Sequence, residues 1–363
     1  MQLLATHDDA IDDALRRELA EVEARFVREL RSDLDCVNDL VQHIERYRGK
    51  MLRPTLVLLS AHAAAAAPPD DPTDDPGHDP ARDARQTVAT VVEMVHMATL
   101  VHDDILDEAD IRRRGPTVNR LAGNESAVML GDYLISHAYH LCSSLGESWV
   151  SRALAAATNT VCEGELLQLS NRGNWAMGEA TYRDIIRRKT ASLCGASCRI
   201  GARLQGVDDA VVTHLGRFGE LVGEAFQIID DVLDLTGEES RVGKTLGRDL
   251  DKGKLTLPLL RMLDTLDPDD RRHAEQLLTR LTGDNRPASP PDAADPVHRN
   301  GHGDAALDEV GRLLRRSGAI AASSDEAREL VERAKACLCE VAPDSPARRT
   351  LLTMADRIID RRA

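Results

Sequence analysis

The chain contains 363 residues, of which 42% are hydrophobic and only 2% aromatic, and its formal net charge is −15. This acidic balance argues against a nucleic-acid-binding protein, because contact with a phosphate backbone requires a basic surface. It does not exclude a small phosphorylated substrate, which bridging cations and a few local Lys or Arg residues can hold.

Other bulk features predict a cytoplasmic protein. The seven cysteines are scattered and lack the paired spacing of a zinc site, which predicts reduced thiols. The N-terminal residues lack the basic and apolar regions of a signal peptide. The longest apolar stretch, residues 55–67, is interrupted by Ser60 and His62 and is too short to span a bilayer, so no transmembrane segment is predicted.

Apolar residues recur at helical spacing along most of the chain, whereas alternating strand patterns are almost absent. Helices are predicted to begin at Asp83, Glu125, Thr181 and Asp208. Residues 68–80 and 283–303 are rich in Pro, Gly and Asp, so they are predicted to form mobile loops. The prediction is an all-α protein of ten or more helices in a single domain over residues 1–363.

The spacing DDxxD occurs four times, and two of these occurrences have structural explanations. The cluster beginning at Asp8 lies at a helix start, where acidic residues are favoured. The cluster beginning at Asp70 contains Pro72 and cannot present one helical face. The remaining two follow apolar helical stretches. They are called here the first cluster (Asp103, Asp104 and Asp107) and the second cluster (Asp230, Asp231 and Asp234).

The first and second clusters suit a hard cation such as Mg²⁺. Carboxylates one helical turn apart share a face, and a cation relieves their mutual repulsion. Arg112 and Arg113 follow the first cluster, and guanidinium groups hold phosphate oxygens in a fork, which predicts a metal-bridged diphosphate. Simple Asp–Arg pairing at the surface is the alternative, and it explains the double occurrence poorly. His96 precedes Asp103 by seven residues and is expected on the same face, about 10 Å away.

The sequence resembles the trans-type polyprenyl diphosphate synthases, from about Gly49 to the C-terminal helix. Seven segments carry the resemblance in order: GKMLRP (49–54), HMATLVHDDILDEADIRR (96–113), LGDYL (130–134), RKTASL (188–193), GEAFQIIDDVLDLTG (223–237), VGKTLGRDL (242–250) and KGKLTLP (252–258). The resemblance implies an all-helical isoprenoid-synthase fold in which the two clusters face each other across a deep central cavity. It also implies a homodimer.

The resemblance further implies Mg²⁺-assisted elongation of an allylic diphosphate by isopentenyl diphosphate. By this likeness, Asp103, Asp107 and Asp230 hold Mg²⁺ on the allylic diphosphate, supported by Asp104, Asp231 and Asp234, and Arg112 contacts that diphosphate. Isopentenyl diphosphate is expected on Lys50, Arg53, His96 and Arg113. The reacting centre is expected to be lined by Lys189, Thr190, Gln227 and Lys244, with Lys254 nearby.

The sequence departs from the family pattern in two places. The family usually has Gly directly after the two arginines, whereas Arg114 and Gly115 stand in the opposite order here, so the turn is expected to differ. Ile229 replaces a Gln of many short-chain members.

Product length is predicted from the helical turn that precedes the first cluster. Ala98 and Thr99 are small and lie about 6–8 Å before Asp103 along the helix axis. In the family, small residues here let the chain grow, so a heptaprenyl to decaprenyl product is expected, with Ser136, Tyr139 or His140 as candidates for the deeper floor. Three alternatives remain open: a short-chain synthase, a non-catalytic subunit of a heteromeric synthase, and a class I terpene cyclase.

Overall fold

Helices form nearly all of the regular structure in the computed structural model, which describes residues 9–47, 49, 51–65, 80–113, 115–236, 248–283 and 302–360. The helices in the first half of the chain are α1 (Asp9–Glu29), α2 (Asp35–Ile44), α3 (Leu52–Ala65), α4 (Pro80–Leu106), α5 (Val118–Ser143) and α6 (Ser148–Ser170). Those in the second half are α7 (Glu179–Ile186), α8 (Ser192–Arg203), α9 (Asp209–Thr236), α10 (Arg248–Asp251), α11 (Leu257–Thr265), α12 (Pro268–Gly283), α13 (His302–Ser317), α14 (Ala319–Val341) and α15 (Pro346–Ile359).

Two short helical turns and one two-stranded hairpin complete the regular structure of the described residues. A 3-10 turn, Glu45–Tyr47, follows α2, and a π-helical turn, Arg187–Ala191, joins α7 to α8. Strands β1 (Ile111–Arg112) and β2 (Gly115–Pro116) pair antiparallel, with Arg112 opposite Gly115. The all-α prediction is therefore confirmed, and this hairpin directly follows the first cluster.

Most predicted helix starts are close to those observed. Helix α4 begins at Pro80, three residues before Asp83, because proline is tolerated in the first turn of a helix. Helices α7 and α9 begin within two residues of Thr181 and Asp208. The start predicted at Glu125 is wrong, since α5 begins at Val118. The helix is kinked at Gly123 (φ 82°, ψ 163°), just before Glu125.

The described residues divide into two compact units. The first unit takes residues from Met1–Thr160, Ala191–Leu221 and Arg333–Arg357, and the second takes residues from Val161–Thr190, Val222–Glu332 and Ile358–Ala363. Within the first unit, α3 packs against α4 and α8. Four consecutive residues of α3, 56–59, are fully buried, as expected for a helix surrounded by others. The single-domain prediction stays a prediction.

Both predicted loops fall almost entirely outside the described residues, since residues 66–79 and 284–301 are not among them. At their edges Pro80, Gly283, His302 and Gly303 are helical, so the loops were predicted one or two residues too long at these ends. Within the described part of the chain, no helix is both long and apolar enough to cross a membrane.

Candidate active site

The first cluster lies at the C-terminal end of α4. The amide of Asp107 donates to the carbonyl of Asp103 at 2.8 Å, so helical spacing continues one residue beyond the helix. Asp103 and Asp107 are half-buried, whereas Asp104 is only 2% exposed. Residues at i and i+4 share a helical face, and the residue at i+1 is turned about 100° away from the first. The cluster therefore has an accessible outer pair and a buried central aspartate.

Arg112 and Tyr47 surround the buried carboxylate of Asp104. Arg112 Nε donates to both carboxylate oxygens at 2.9 and 3.0 Å, and its Nη2 lies 2.8 Å from Oδ1. The hydroxyl of Tyr47 hydrogen-bonds with Asp104 and accepts from the amide of Val118 at 2.9 Å. Burial, together with the charge of Asp104, raises the pKa of Tyr47 to about 12, so this hydroxyl is a donor at neutral pH.

The β1–β2 hairpin carries Arg112 and Arg113 back over the end of α4. Arg113 adopts φ 46°, a left-handed conformation that costs an L-residue roughly 1–2 kcal/mol relative to glycine. Gly115, the residue that stands out of the family order, pairs with Arg112 as the first residue of β2. Arg114 lies outside the described residues, so the predicted change in the turn remains a prediction.

Basic side chains gather around His96 in the first unit. Burial, followed by the positive charges of Arg53, Arg112 and Arg113, holds the pKa of His96 well below its ordinary value, so the imidazole is neutral at pH 7. Gly49 lies against Arg113, since a Cβ there would stand 2.5 Å from its Nη2. Three guanidinium groups near one neutral imidazole carry donors of the kind that suit an anion with several oxygens. Lys50, also predicted here, lies outside the described residues.

One atom of this basic group lacks a hydrogen-bond partner. Arg53 Nε is buried and donates to no acceptor among the described residues. A buried donor without an acceptor is unfavourable, and an oxygen-rich ligand would satisfy it. The group is therefore chemically suited to a diphosphate.

The second cluster lies on α9, within the second unit. Asp230 and Asp234 are half-buried, whereas Asp231 is only 4% exposed. Tyr182 donates its hydroxyl to Asp231 Oδ2 at 2.6 Å, and Gln227 Nε2 donates to Oδ1 at 2.9 Å. Burial and the charge of Asp249 raise the pKa of Asp231 well above its ordinary value. The second cluster thus repeats the division into an outer pair and a buried central aspartate.

The π-helical turn brings Lys189 and Thr190 to the same region of the second unit. Thr190 Oγ1 donates to Gln227 Oε1 at 2.8 Å, and Lys189 Nζ donates to Gln168 at 2.9 Å and pairs with Glu165. Gly164 permits this approach, because a Cβ there would lie 2.6 Å from the Lys189 amide nitrogen. An open pocket of the second unit is lined by Gln168, Tyr182, Lys189, Thr190, Gln227, Asp231, Asp249 and Lys254, together with residues 185–186 and 255–256.

Lys254 lines this pocket as predicted. It is 8% exposed, and its Nζ lies 3.9 Å from Asp249 Oδ1. The amide of Asp249 in turn donates to Asp234 Oδ2 at 3.3 Å, which ties α10 to the second cluster. Lys244, predicted at the same centre, lies outside the described residues.

The proposed product-length residues lie on α4, one turn before the first cluster. Ala98 is fully buried, and Thr99 is half-buried with its hydroxyl bonded to the His96 carbonyl at 2.7 Å. Of the candidates for the deeper floor, Tyr139 is half-buried and both Ser136 and His140 are exposed. The role of these residues in product length remains a prediction.

Sequence reasoning missed three groups at these clusters. Tyr47, Tyr182 and Asp249 contact Asp104, Asp231 and Asp234 respectively. Asp249 lies inside a segment that carries the family resemblance, so it could have been found there. The two tyrosines belong to no metal- or phosphate-binding spacing, and only the fold brings them to the clusters.

The outer aspartates fit a hard divalent cation. Their carboxylate oxygens are the ligands that Mg²⁺ and Ca²⁺ prefer. In the described part of the chain, no three His, Cys, Asp or Glu side chains converge into a complete metal site. Mg²⁺ commonly binds through one or two carboxylates together with substrate phosphates and water, and each outer pair can supply that many.

The comparisons with known proteins establish the class of protein. Residues 35–288 match the family model described as polyprenyl synthetase, so the chain belongs to this family of prenyltransferases. This confirms the predicted family, the isoprenoid-synthase fold and the enzyme class.

Particular relatives cover almost the whole chain. It is 31% identical over 353 residues to octaprenyl diphosphate synthase of Escherichia coli, covering 97% of this chain and 98% of the relative. The likeness to this synthase supports the predicted long-chain type. The chain is also 31% identical over 366 residues to a short chain isoprenyl diphosphate synthase of Methanothermobacter thermautotrophicus, with 99% and 98% covered.

A solved structure extends the likeness to the fold. The polyprenyl synthase of Caulobacter crescentus, complexed with calcium and isoprenyl diphosphate, aligns with a TM-score of 0.81 and 30% identity over 98% of each chain.

Proposed function

We propose that this chain condenses isopentenyl diphosphate with an allylic diphosphate to give a medium- or long-chain all-trans polyprenyl diphosphate. The observation that carries the proposal is the pair of matching clusters, each with an accessible outer pair of aspartates one helical turn apart. Family membership and the basic group around His96 support the same reaction.

The outer aspartates are the proposed magnesium ligands. Asp103 and Asp107 in the first unit, and Asp230 and Asp234 in the second, offer carboxylate oxygens whose coordination substrate diphosphate would complete. When bound, Mg²⁺ stabilises the negative charge that develops on the departing diphosphate. Arg112 is held by Asp104, and its remaining N–H groups are proposed to stabilise the same charge.

Isopentenyl diphosphate is proposed to bind the basic group of Arg53, His96 and Arg113, with Lys50. A neutral imidazole donates one hydrogen bond without adding charge, while the guanidinium groups supply the electrostatic attraction. The nucleophile of the reaction is the carbon–carbon double bond of this substrate. No Ser, Cys or His nucleophile is therefore required.

Lys189, Thr190 and Gln227, with Lys244 and Lys254, are proposed to surround the breaking carbon–oxygen bond. The ammonium groups stabilise the leaving diphosphate, and the hydroxyl and amide side chains orient one another through their hydrogen bond. The final proton passes to pyrophosphate, so no protein base is assigned. An apolar lining would protect the allylic cation from water.

The product is proposed to be heptaprenyl to decaprenyl in length, because Ala98 and Thr99 leave room before the first cluster. Short-chain synthesis is the alternative. A short-chain relative is as identical to the chain as the octaprenyl relative is, and the product assay described below distinguishes the two lengths.

The chain is proposed to act as a homodimer in the cytoplasm. Val128 and Met129 of α5 are 43% and 65% exposed, and a second copy could cover these apolar side chains. All seven cysteines are free thiols, as expected in a reducing compartment. Sedimentation equilibrium of the purified chain tests the oligomeric state.

The function is tested by incubating the purified chain with labelled isopentenyl diphosphate, farnesyl diphosphate and Mg²⁺ and separating the products by chain length. We expect products of 35 to 50 carbons, corresponding to the proposed lengths, and none after a chelator is added. No turnover by the chain alone would favour a non-catalytic subunit. A cyclic product formed without isopentenyl diphosphate would favour a terpene cyclase.

A further inference from the structure

In both clusters the central aspartate is buried and has similar hydrogen-bond partners. Asp104 and Asp231 are 2% and 4% exposed, while the four outer aspartates are half-buried. Each central carboxylate is bonded to a tyrosine hydroxyl and to one further side-chain donor, Arg112 for Asp104 and Gln227 for Asp231. The two arrangements use unrelated segments of the chain, one a 3-10 turn after α2 and the other helix α7.

The two tyrosines are themselves held firmly. Tyr47 is 2% exposed, its hydroxyl accepts the Val118 amide, and its ring lies 5.8 Å from the Arg112 guanidinium carbon and packs edge-on against His43. Tyr182 is 3% exposed and lines the pocket of the second unit. A buried hydroxyl that donates to a carboxylate fixes the direction of that side chain.

Fixing the central aspartate also fixes the orientation of the outer aspartates on the same helical turn. If the central carboxylate turned outwards, three negative charges would compete for one cation, and the backbone that carries the outer pair would lose an anchor. Bonded to the tyrosine, the central aspartate locks the helical turn between the outer two. The outer carboxylates then keep the common face on which a cation can bind.

We propose that Tyr47 and Tyr182 are positioning residues, which hold Asp104 and Asp231 inside the protein so that the outer aspartates of each cluster face a bound divalent cation and its diphosphate. This inference rests on the proposed function and assigns the two tyrosines a role that acts through the central aspartates.

The substitutions Tyr47→Phe and Tyr182→Phe remove only the hydroxyl and retain the ring. Tyr133→Phe is the matched control, because the Tyr133 hydroxyl donates to the backbone carbonyl of Leu30 at 3.4 Å and contacts no cluster. We measure the binding of inorganic pyrophosphate in the presence of Mg²⁺ by titration calorimetry. We also measure the Mg²⁺ concentration that gives the half-maximal prenyl-transfer rate.

Each cluster variant is expected to bind magnesium pyrophosphate about tenfold more weakly, the effect of losing one buried hydrogen bond, and to need more Mg²⁺. Tyr133→Phe is expected to match the wild type. Wild-type affinity and Mg²⁺ requirement in the two cluster variants would overturn the inference, even if their melting temperatures fell. Absence of prenyl transfer by the wild-type chain would instead contradict the proposed function, a separate result.

A second measurement keeps Tyr47 and Tyr182 in place and therefore tests the inference even if their phenylalanine variants do not fold. The full chain is labelled with 3-fluorotyrosine, and the signals of Tyr133 and Tyr139 are assigned with their phenylalanine variants. The sequence has four tyrosines, so the remaining two signals belong to Tyr47 and Tyr182. Both are expected to shift when Mg²⁺ and pyrophosphate are added together. Two unchanged signals at saturating ligand would overturn the inference.

Discussion

Thr190 Oγ1 donates to Gln227 Oε1 at 2.8 Å, which joins the π-helical turn to the helix that carries the second cluster. Gln227 then donates from Nε2 to Asp231, one helical turn further along α9. Gln227 therefore couples the turn that presents Lys189 to the carboxylates of the second cluster. An extra residue inserted into a helical turn is often found at a functional site, and here it redirects two side chains into the pocket.

Replacing Gln227 with Ala should remove both hydrogen bonds and leave Asp231 with one donor fewer. Since a buried hydrogen bond to a charged group contributes about 1.5–3 kcal/mol, we expect the kcat of prenyl transfer to fall roughly 10- to 100-fold. Steady-state rates with labelled isopentenyl diphosphate measure this. Gln42→Ala, at an exposed position of α2, is the control and should leave kcat unchanged. A wild-type kcat for Gln227→Ala would contradict the coupling.

Arg112→Lys should weaken the first cluster although it preserves the charge. The guanidinium group bonds both oxygens of Asp104, and a lysine ammonium cannot reproduce this fork. We expect kcat/KM for the allylic diphosphate to decrease at least about tenfold. Arg120→Lys is a suitable control, because Arg120 is exposed and lies 3.7 Å from Asp110. Equal effects of the two substitutions would argue against a special role for Arg112.

His96 should make the protein less stable in mild acid. Its folded pKa is well below the ordinary value of 6.5, so below pH 6.5 the unfolded chain binds a proton that the folded chain does not. The stability that the protein gains from a neutral His96 is therefore present above pH 6.5. It is lost as the pH falls from 6.5 towards the folded pKa of His96. Urea unfolding at pH 7.5 and 5.5 should show a smaller loss of stability for His96→Gln than for the wild type.

His273→Gln is the control for this pH dependence, because His273 is exposed on α12. Its unfolding free energy should change between the two pH values as that of the wild type does. If His96→Gln retained the full acid sensitivity, the depressed pKa of His96 would not be its cause.

Thr99→Phe should shorten the product. Thr99 is half-buried, so an aromatic ring can be accommodated more easily there than at fully buried Ala98, where overpacking costs about 1–3 kcal/mol. Product chromatography should show a shift towards chains shorter than the 35 to 50 carbons expected of the wild type. Thr160→Phe, on α6, is the control, since Thr160 also bonds to a carbonyl of its own helix. An unchanged product distribution for Thr99→Phe would remove the basis of the length prediction.

Periodic apolar residues were sufficient to predict the all-α class and most helix starts, because helical amphipathicity is a local property of the chain. One helix start was predicted wrongly from local features. A start was predicted at Glu125, but the helix begins at Val118 and is kinked at Gly123, and the charge pattern shows neither. The family resemblance predicted that Lys189, Thr190 and Gln227 lie at one centre, and one hydrogen bond within the second unit joins Thr190 to Gln227. The π-helical turn that presents two of them carries no sequence signal that we recognise.

The sequence by itself determined that two aspartate clusters would lie on helices, and it predicted that all three carboxylates of each cluster would converge on one face, because helical geometry follows from spacing. It could not distinguish Asp104 from Asp103, or Asp231 from Asp230, since neighbouring aspartates are chemically identical. Only the tertiary structure made that distinction. It buries Asp104 beside Tyr47 and Asp231 beside Tyr182, and each tyrosine comes from a distant segment of the chain. The physical reason is that burial and hydrogen-bond partners depend on contacts between residues far apart in the chain, such as Tyr182 and Asp231.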